Sequence, residues 1–178
     1  MRLILFLLCF LPSLAFADDW DAFDRPGAHA IMRHALAPGG GDPANFDLNN
    51  CATQRNLSDE GRAQARKIGA ALRDRGISFE GVLTSQWCRS RETAELLSLG
   101  PVTEEPMLNS FFQDRSTADE QTTATRAIAQ AAAGPLMMVA HQVNITALTG
   151  VFPASGEIVI FRITDTGTEV LGTIAINP

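Results

Sequence analysis

Hydrophobic and polar positions alternate along the chain in a pattern that switches repeatedly between strand and helix. Ala28-His29-Ala30-Ile31-Met32 is a short apolar run that stops at Arg33-His34, which reads as a buried strand opening into a loop. Pro38-Gly39-Gly40-Gly41-Asp42-Pro43 punctuates that loop, which is expected to be long and flexible and to reach about Cys51. Ser58 is placed as the N-cap of a helix with acids in its first turn. Ala65, Ile68, Gly69 and Leu72 recur at helical spacing until Gly76 ends it. Gly81–Ser85 predicts a second strand, and a helix follows from about Arg89 through Leu97. Val102-Thr103 suggests a short strand. Met107–Arg115 is loop-like, but Leu108, Phe111 and Phe112 predict that it packs down. Thr117–Ala133 is an alanine-rich helix, and Leu136–Ala140 is a third buried strand, again ending at a histidine, His141. A helix starts in Asn144–Leu148, and Glu157–Ile163 and Glu169–Ile176 form a closing pair of strands around Asp165-Thr166-Gly167.

Strands alternating with helices predict an α/β fold: a single-domain three-layer sandwich, with a mostly parallel central sheet and helices on both faces. In such sheets ligands bind outside the carboxyl ends of the strands. Three strands end in Arg33-His34, in Ser85 leading to Arg89, and in His141, so polar groups distant in sequence converge on one edge. Two histidines and two arginines there suit a phosphate ester. Arginine matches phosphate oxygens with a planar, permanently charged fork. A neutral imidazole can attack phosphorus, and a second, protonated one can stabilise the charge that develops.

The first 17 residues change the picture of where this happens. Arg2 is followed by the apolar run Leu3–Leu11, and Ala15-Phe16-Ala17 supplies small residues for cleavage, the pattern of a secretory signal peptide. The run is shorter than the ~20 residues of a comfortable membrane span. The reading is therefore a signal peptide over 1–17 and a domain over 18–178. The protein would be periplasmic or secreted after cleavage, without a stable membrane anchor. Arg2 leaves with the peptide, so the 14 basic residues of the chain become 13 against 20 acidic ones. So acidic a chain is not expected to bind nucleic acid. Cys9 also leaves, and Cys51 and Cys88 remain as a candidate disulfide, which in the chain-entropy model stabilises by about 3–4 kcal/mol. The paired C-x-x-C spacing of zinc sites is absent, so no metal is expected.

The residues already quoted resemble the histidine phosphatase superfamily, also called phosphoglycerate-mutase-like. Arg33-His34 resembles its Arg-His-Gly signature and Leu57–Ala65 its Leu-Thr-x-x-Gly-x-x-Gln-Ala helix. Ser85-x-x-x-Arg89-x-x-x-Thr93-Ala94 resembles its second arginine element and Val139-Ala140-His141 its second histidine element. The resemblance implies a phosphoric monoester hydrolase in which His34 is the nucleophile and passes through a phosphohistidine. Arg33, Arg89 and His141 would complete the phosphate pocket, with neither metal nor cofactor. Arg55 and Gln142 are further candidates for binding phosphate. Ala35 departs from the family's glycine, and Ser110 stands where the family usually carries a glutamate that donates the proton. Of the nearby acids, Asp114 is the candidate donor, on the expectation that Phe111-Phe112 press its loop onto the sheet. His29 is expected to be a core histidine, and Arg62, Arg66 and Arg73 to form a solvated helix face. The implied substrate is a phosphorylated small molecule or an envelope glycolipid. The alternatives are a phosphohistidine-protein phosphatase and a non-catalytic phosphate-binding domain on the same fold.

Overall fold

A computed structural model describes residues 19–178; the signal-peptide pattern over 1–17 lies outside the described residues. Six strands form one sheet: β1 (His29–Arg33), β2 (Gly81–Thr84), β3 (Val102–Glu104), β4 (Leu136–Ala140), β5 (Ile158–Thr164) and β6 (Gly167–Ile174). Their order is β3-β2-β4-β1-β5-β6. The first four are mutually parallel, while β5 and β6 run antiparallel at one side. The sheet is thus mixed, with the closing hairpin of β5 and β6 set antiparallel beside β1.

Side chains alternate across the sheet with the strand period of two. Ala30, Met32, Met137, Val139, Ile158 and Ile160 pack on one face against α1 (Asp59–Asp74) and α2 (Cys88–Leu97), through Ile68, Leu72, Ala94 and Leu97. Ile31, Met138, Ala140, Val159 and Phe161 face the other way. They meet α3 (Ala118–Ala131) and α4 (Gln142–Thr149) through Ala129, Ile145 and Leu148. Helices therefore cover both faces. His29 is 7% exposed and its Nδ1 accepts from the backbone N–H of Leu136 at 3.2 Å, a satisfied core histidine.

Ser58 caps α1, its side chain accepting from the Gly61 N–H at 3.1 Å. Gly61 is glycine for a packing reason: a Cβ there would lie 2.0 Å from the carbonyl oxygen of Leu36. Gln64, one turn on and fully buried, accepts from the Leu36 N–H at 3.0 Å and donates to the carbonyls of Ser155 and Ile176. The Gly-x-x-Gln pattern thereby docks α1 onto the backbone just beyond β1. Two elements depart from expectation. α4 begins at Gln142, directly after the strand tip, because His141 itself is its N-cap residue. β6 begins at Gly167 rather than Glu169, since Gly167 pairs with Thr164 across the tight turn.

Candidate active site

Register brings the three strand tips level. Arg33 pairs with Ala140 and Thr84 with Val139, and the ladder continues through His34 N–H to Ala140 O and Ser85 N–H to Val139 O, each 3.0 Å. His34 and His141 emerge side by side with ring centroids 5.5 Å apart, both almost fully buried. They line a cavity of about 160 Å³ outside the sheet's carboxyl edge. Residues at the starts of α2 and α4, Arg89, Gln142 and Val143, also line it, and a helix N-terminus favours an anion.

The hydrogen bonds fix the tautomer of each histidine. The Nδ1–H of His34 donates to its neighbour's carbonyl, Ala35 O, at 2.8 Å. That leaves Nε2 as a lone pair, which accepts from Arg89 Nε at 3.1 Å. Burial, and then the charges of Arg89, Arg55 and Arg33, push the His34 pKa well below 6.5, so the ring is neutral at pH 7. His141 is placed by a relay. The backbone N–H of Gln86 donates to Asn109 Oδ1 at 2.9 Å, which fixes that oxygen as an acceptor. Ser85 Oγ gives its hydrogen to the same oxygen at 3.2 Å and so accepts from His141 Nε2–H at 2.8 Å. His141 Nδ1 then faces Arg89 Nη2 at 3.5 Å. Its pKa is likewise far below 6.5, from burial first and then from Arg89 and His34.

Three arginines surround these rings. Arg89 is 3% exposed, and Thr93, one turn further along α2, accepts from the Ala35 N–H and ties that helix to the loop after β1. Arg33 donates to Pro153 O at 3.2 Å, while its Nε has no protein partner. Arg55 reaches the cavity while donating from Nε to Gly41 O at 2.9 Å and from Nη1 to Ala37 O, clamping the glycine loop. Burial, with the nearby charge of Arg89, lowers the Arg55 pKa to about 10. One carboxylate lines the cavity among the described residues. Asp42 meets the Arg89 fork with Oδ1 2.6 Å from Nη1 and Oδ2 3.1 Å from Nη2. Burial would raise its pKa, but the bonds from Arg89 and Trp87 outweigh that and hold it below the usual carboxylate value.

The histidine phosphatase superfamily (branch 1) model matches residues 30–114, which include His34, Arg55 and Arg89. Over these residues the chain is similar to the histidine phosphatase superfamily. An uncharacterized protein of Picosynechococcus sp. is 26% identical over 115 residues, which are 65% of this chain and 66% of that protein, just under two thirds of its length. The fold is similar to that of the protein histidine phosphatase SixA complexed with tungstate. The TM-score is 0.61 at 17% identity, covering 83% of this chain and 96% of that one. A putative phosphohistidine phosphatase SixA from Agrobacterium tumefaciens gives 0.59 at 19%, covering 85% and 100%. A putative alpha-ribazole-5'-P phosphatase from Escherichia coli gives 0.57 at 18%, covering 85% and 96%.

Arg33, His34, Arg89 and His141 line one cavity, and of the two places open to Arg55, surface or pocket, the structure gives it the cavity wall. Gln142 lines the cavity too, though its amide already donates to Thr146 Oγ1 at 2.7 Å. Asp114 does not join them. It lies outside the cavity lining and exposed, and its carboxylate caps the Ser116 N–H at 2.9 Å, a bond that lowers its pKa. An ionised cap is a poor proton donor. The expected anchoring of its loop fails at one residue: Phe111 is buried, but Phe112 is 57% exposed and lines the cavity mouth. Cys51 and Cys88 sit with Cα atoms 5.7 Å apart, within disulfide range, beside the start of α2. Sequence reasoning missed Asp42, Asn109 and Trp87. Trp87 stacks on Phe46 at 5.0 Å to form another wall of the cavity.

Proposed function

We propose that this protein is an exported phosphatase that hydrolyses phosphate monoesters through a phosphohistidine on His34. The observation that carries the reading is His34 itself, buried and neutral, with Nδ1–H committed to Ala35 O and the Nε2 lone pair turned toward a three-arginine cavity. In this scheme the phosphoryl oxygens take Arg33, Arg55 and Arg89. Nε2 attacks phosphorus as the ester P–O bond breaks, and the leaving oxygen takes a proton from water. A dianion beside His141 draws a proton onto its Nδ1, which then donates to an equatorial oxygen. Water attacks the phosphohistidine, the P–N bond breaks, and inorganic phosphate and neutral His34 are released. The cavity walls of Phe46, Trp87 and Phe112 suit a bulky ester, a phosphorylated small molecule or an envelope glycolipid. Export rests on the pattern of residues 1–17 and on the pairing of Cys51 with Cys88.

A second reading, a phosphohistidine on a protein as substrate, is favoured by one observation. Among the described residues the cavity's one carboxyl, Asp42, is held ionised, so a leaving group that departs without a strong acid reacts most readily. The test is turnover of an aryl phosphate, an alkyl phosphate and a phosphoramidate in the presence of chelator, beside His34→Ala. Hydrolysis that His34→Ala abolishes supports the reading, and the rank order chooses the substrate class. Hydrolysis that survives His34→Ala refutes it.

A further inference from the structure

Asp42 stands where a substrate anion is wanted. Both of its oxygens sit on the Arg89 fork, and its side chain is 9% exposed. Every N–H of Arg89 is thereby occupied: Nε by His34, Nη1 by Asp42 and Arg55 O, Nη2 by Asp42 and His141. The shorter bond of each Nη, 2.6 and 3.1 Å, goes to Asp42, so a phosphoryl group that seats squarely on the fork competes with it. The carboxylate does not lose all its partners when that happens. Oδ2 also accepts from Trp87 Nε1 at 3.0 Å, and Oδ1 from the Arg55 N–H at 3.3 Å. The segment just before it leaves space beside the carboxylate: nothing lies within 4 Å of where a Cβ would stand on Gly40 or Gly41. The charge balance points the same way. Arg33, Arg55 and Arg89 bring three positive charges to the cavity and Asp42 removes one, leaving the complement of a phosphate dianion.

We propose that Asp42 is an internal anion that competes with phosphoryl oxygens for Arg89, limiting how tightly the site holds inorganic phosphate and so speeding its release. The proposal rests on the phosphatase reading of the same site. Asp42 acts through Arg89 and is a positioning residue. A role confined to holding Arg89 in place makes the opposite prediction, weaker phosphate binding once the carboxylate is gone.

The experiment measures inorganic phosphate binding by calorimetry, and its competitive Ki against an aryl phosphate, for the wild type, Asp42→Asn and Trp87→Phe. Asp42→Asn is expected to bind phosphate about tenfold more tightly or better, since a buried like charge has been removed. Its kcat should fall as release slows. Trp87→Phe keeps the carboxylate but removes the bond that would hold Oδ2 once Arg89 is given up, so Asp42 clings to Arg89 and phosphate affinity falls by a smaller factor. Thermal melting confirms that each variant is folded, and if Asp42→Asn does not fold, the Trp87→Phe result decides alone. Unchanged or weaker phosphate binding by Asp42→Asn, or unchanged or tighter binding by Trp87→Phe, overturns the proposal. So does a loss of kcat confined to alkyl phosphates, which would make Asp42 a proton donor. A wild type that neither binds nor hydrolyses phosphate esters overturns the phosphatase reading, and the proposal with it.

Discussion

Asn109 has no direct bond to the cavity arginines, yet through Ser85 it decides which nitrogen of His141 carries the proton and leaves Nδ1 as the acceptor beside Arg89. Asn109→Ala leaves the Ser85 hydroxyl free to turn its hydrogen toward His141 Nε2. The tautomer is then no longer fixed, and Nδ1 no longer reliably presents the proton-accepting face. The expected result is a fall in kcat on the order of 10–100-fold with KM nearly unchanged, because His141 acts on charge that develops in the transition state. Steady-state kinetics on a folded variant measures this, and a change in KM alone would contradict it. His34 predicts a pH dependence. Its pKa lies well below 6.5, so the nucleophile stays neutral on the acid side of that value, and kcat/KM should not fall with a midpoint near 6.5. A fall at that midpoint would mean an ordinary, solvated imidazole.

At the scale of elements, the strands that end in chemistry were legible because their apolar runs stop abruptly at a charged residue or a histidine. β1 and β4 fall where the runs predict, and the Gly-x-x-Gln pattern of α1 is visible as letters. Its purpose is not visible, since Gly61 and Gln64 serve a backbone segment some two dozen residues earlier, at Leu36. Gly61→Ala drives a methyl into that carbonyl and should cost at least ~2 kcal/mol by denaturant melts, as overpacking against backbone does. The loop after β1 was legible as a loop and not as a site. Asp42 reaches Arg89 across 47 positions, and the glycines around it read as flexibility. Held by the Arg55 clamp and by Trp87, it is instead one wall of the cavity. Asp114 went the other way: adjacency to two phenylalanines suggested burial, and only Phe111 supplied it. Pairing Cys51 with Cys88 would fasten this loop to α2. Thiol titration of the unreduced protein should find neither cysteine free, and reduction should lower stability by about 2–4 kcal/mol.

For the whole molecule, the three histidines predict how stability follows pH. His29, His34 and His141 all have pKa values lowered from 6.5, burial being the largest cause in each. Above pH 6.5 the folded and unfolded chains both hold them neutral. Below it the unfolded chain binds protons that the folded one refuses, so the melting temperature should decline as pH falls from 6.5 toward the lowered values. Asp42 adds to the loss only at more acid pH, as it is protonated below its own lowered value. The architecture places every one of these groups except His29 at a single sheet edge, and the central claim concerns one atom there, Nε2 of His34. The most direct test is rapid acid-free quenching of the purified protein during turnover of an aryl phosphate, followed by peptide mass spectrometry. An acid-labile, base-stable phosphoryl group is expected on the peptide that carries His34, and none in His34→Ala. Steady turnover with no phosphoryl group on that histidine, or with one on another residue, would contradict it.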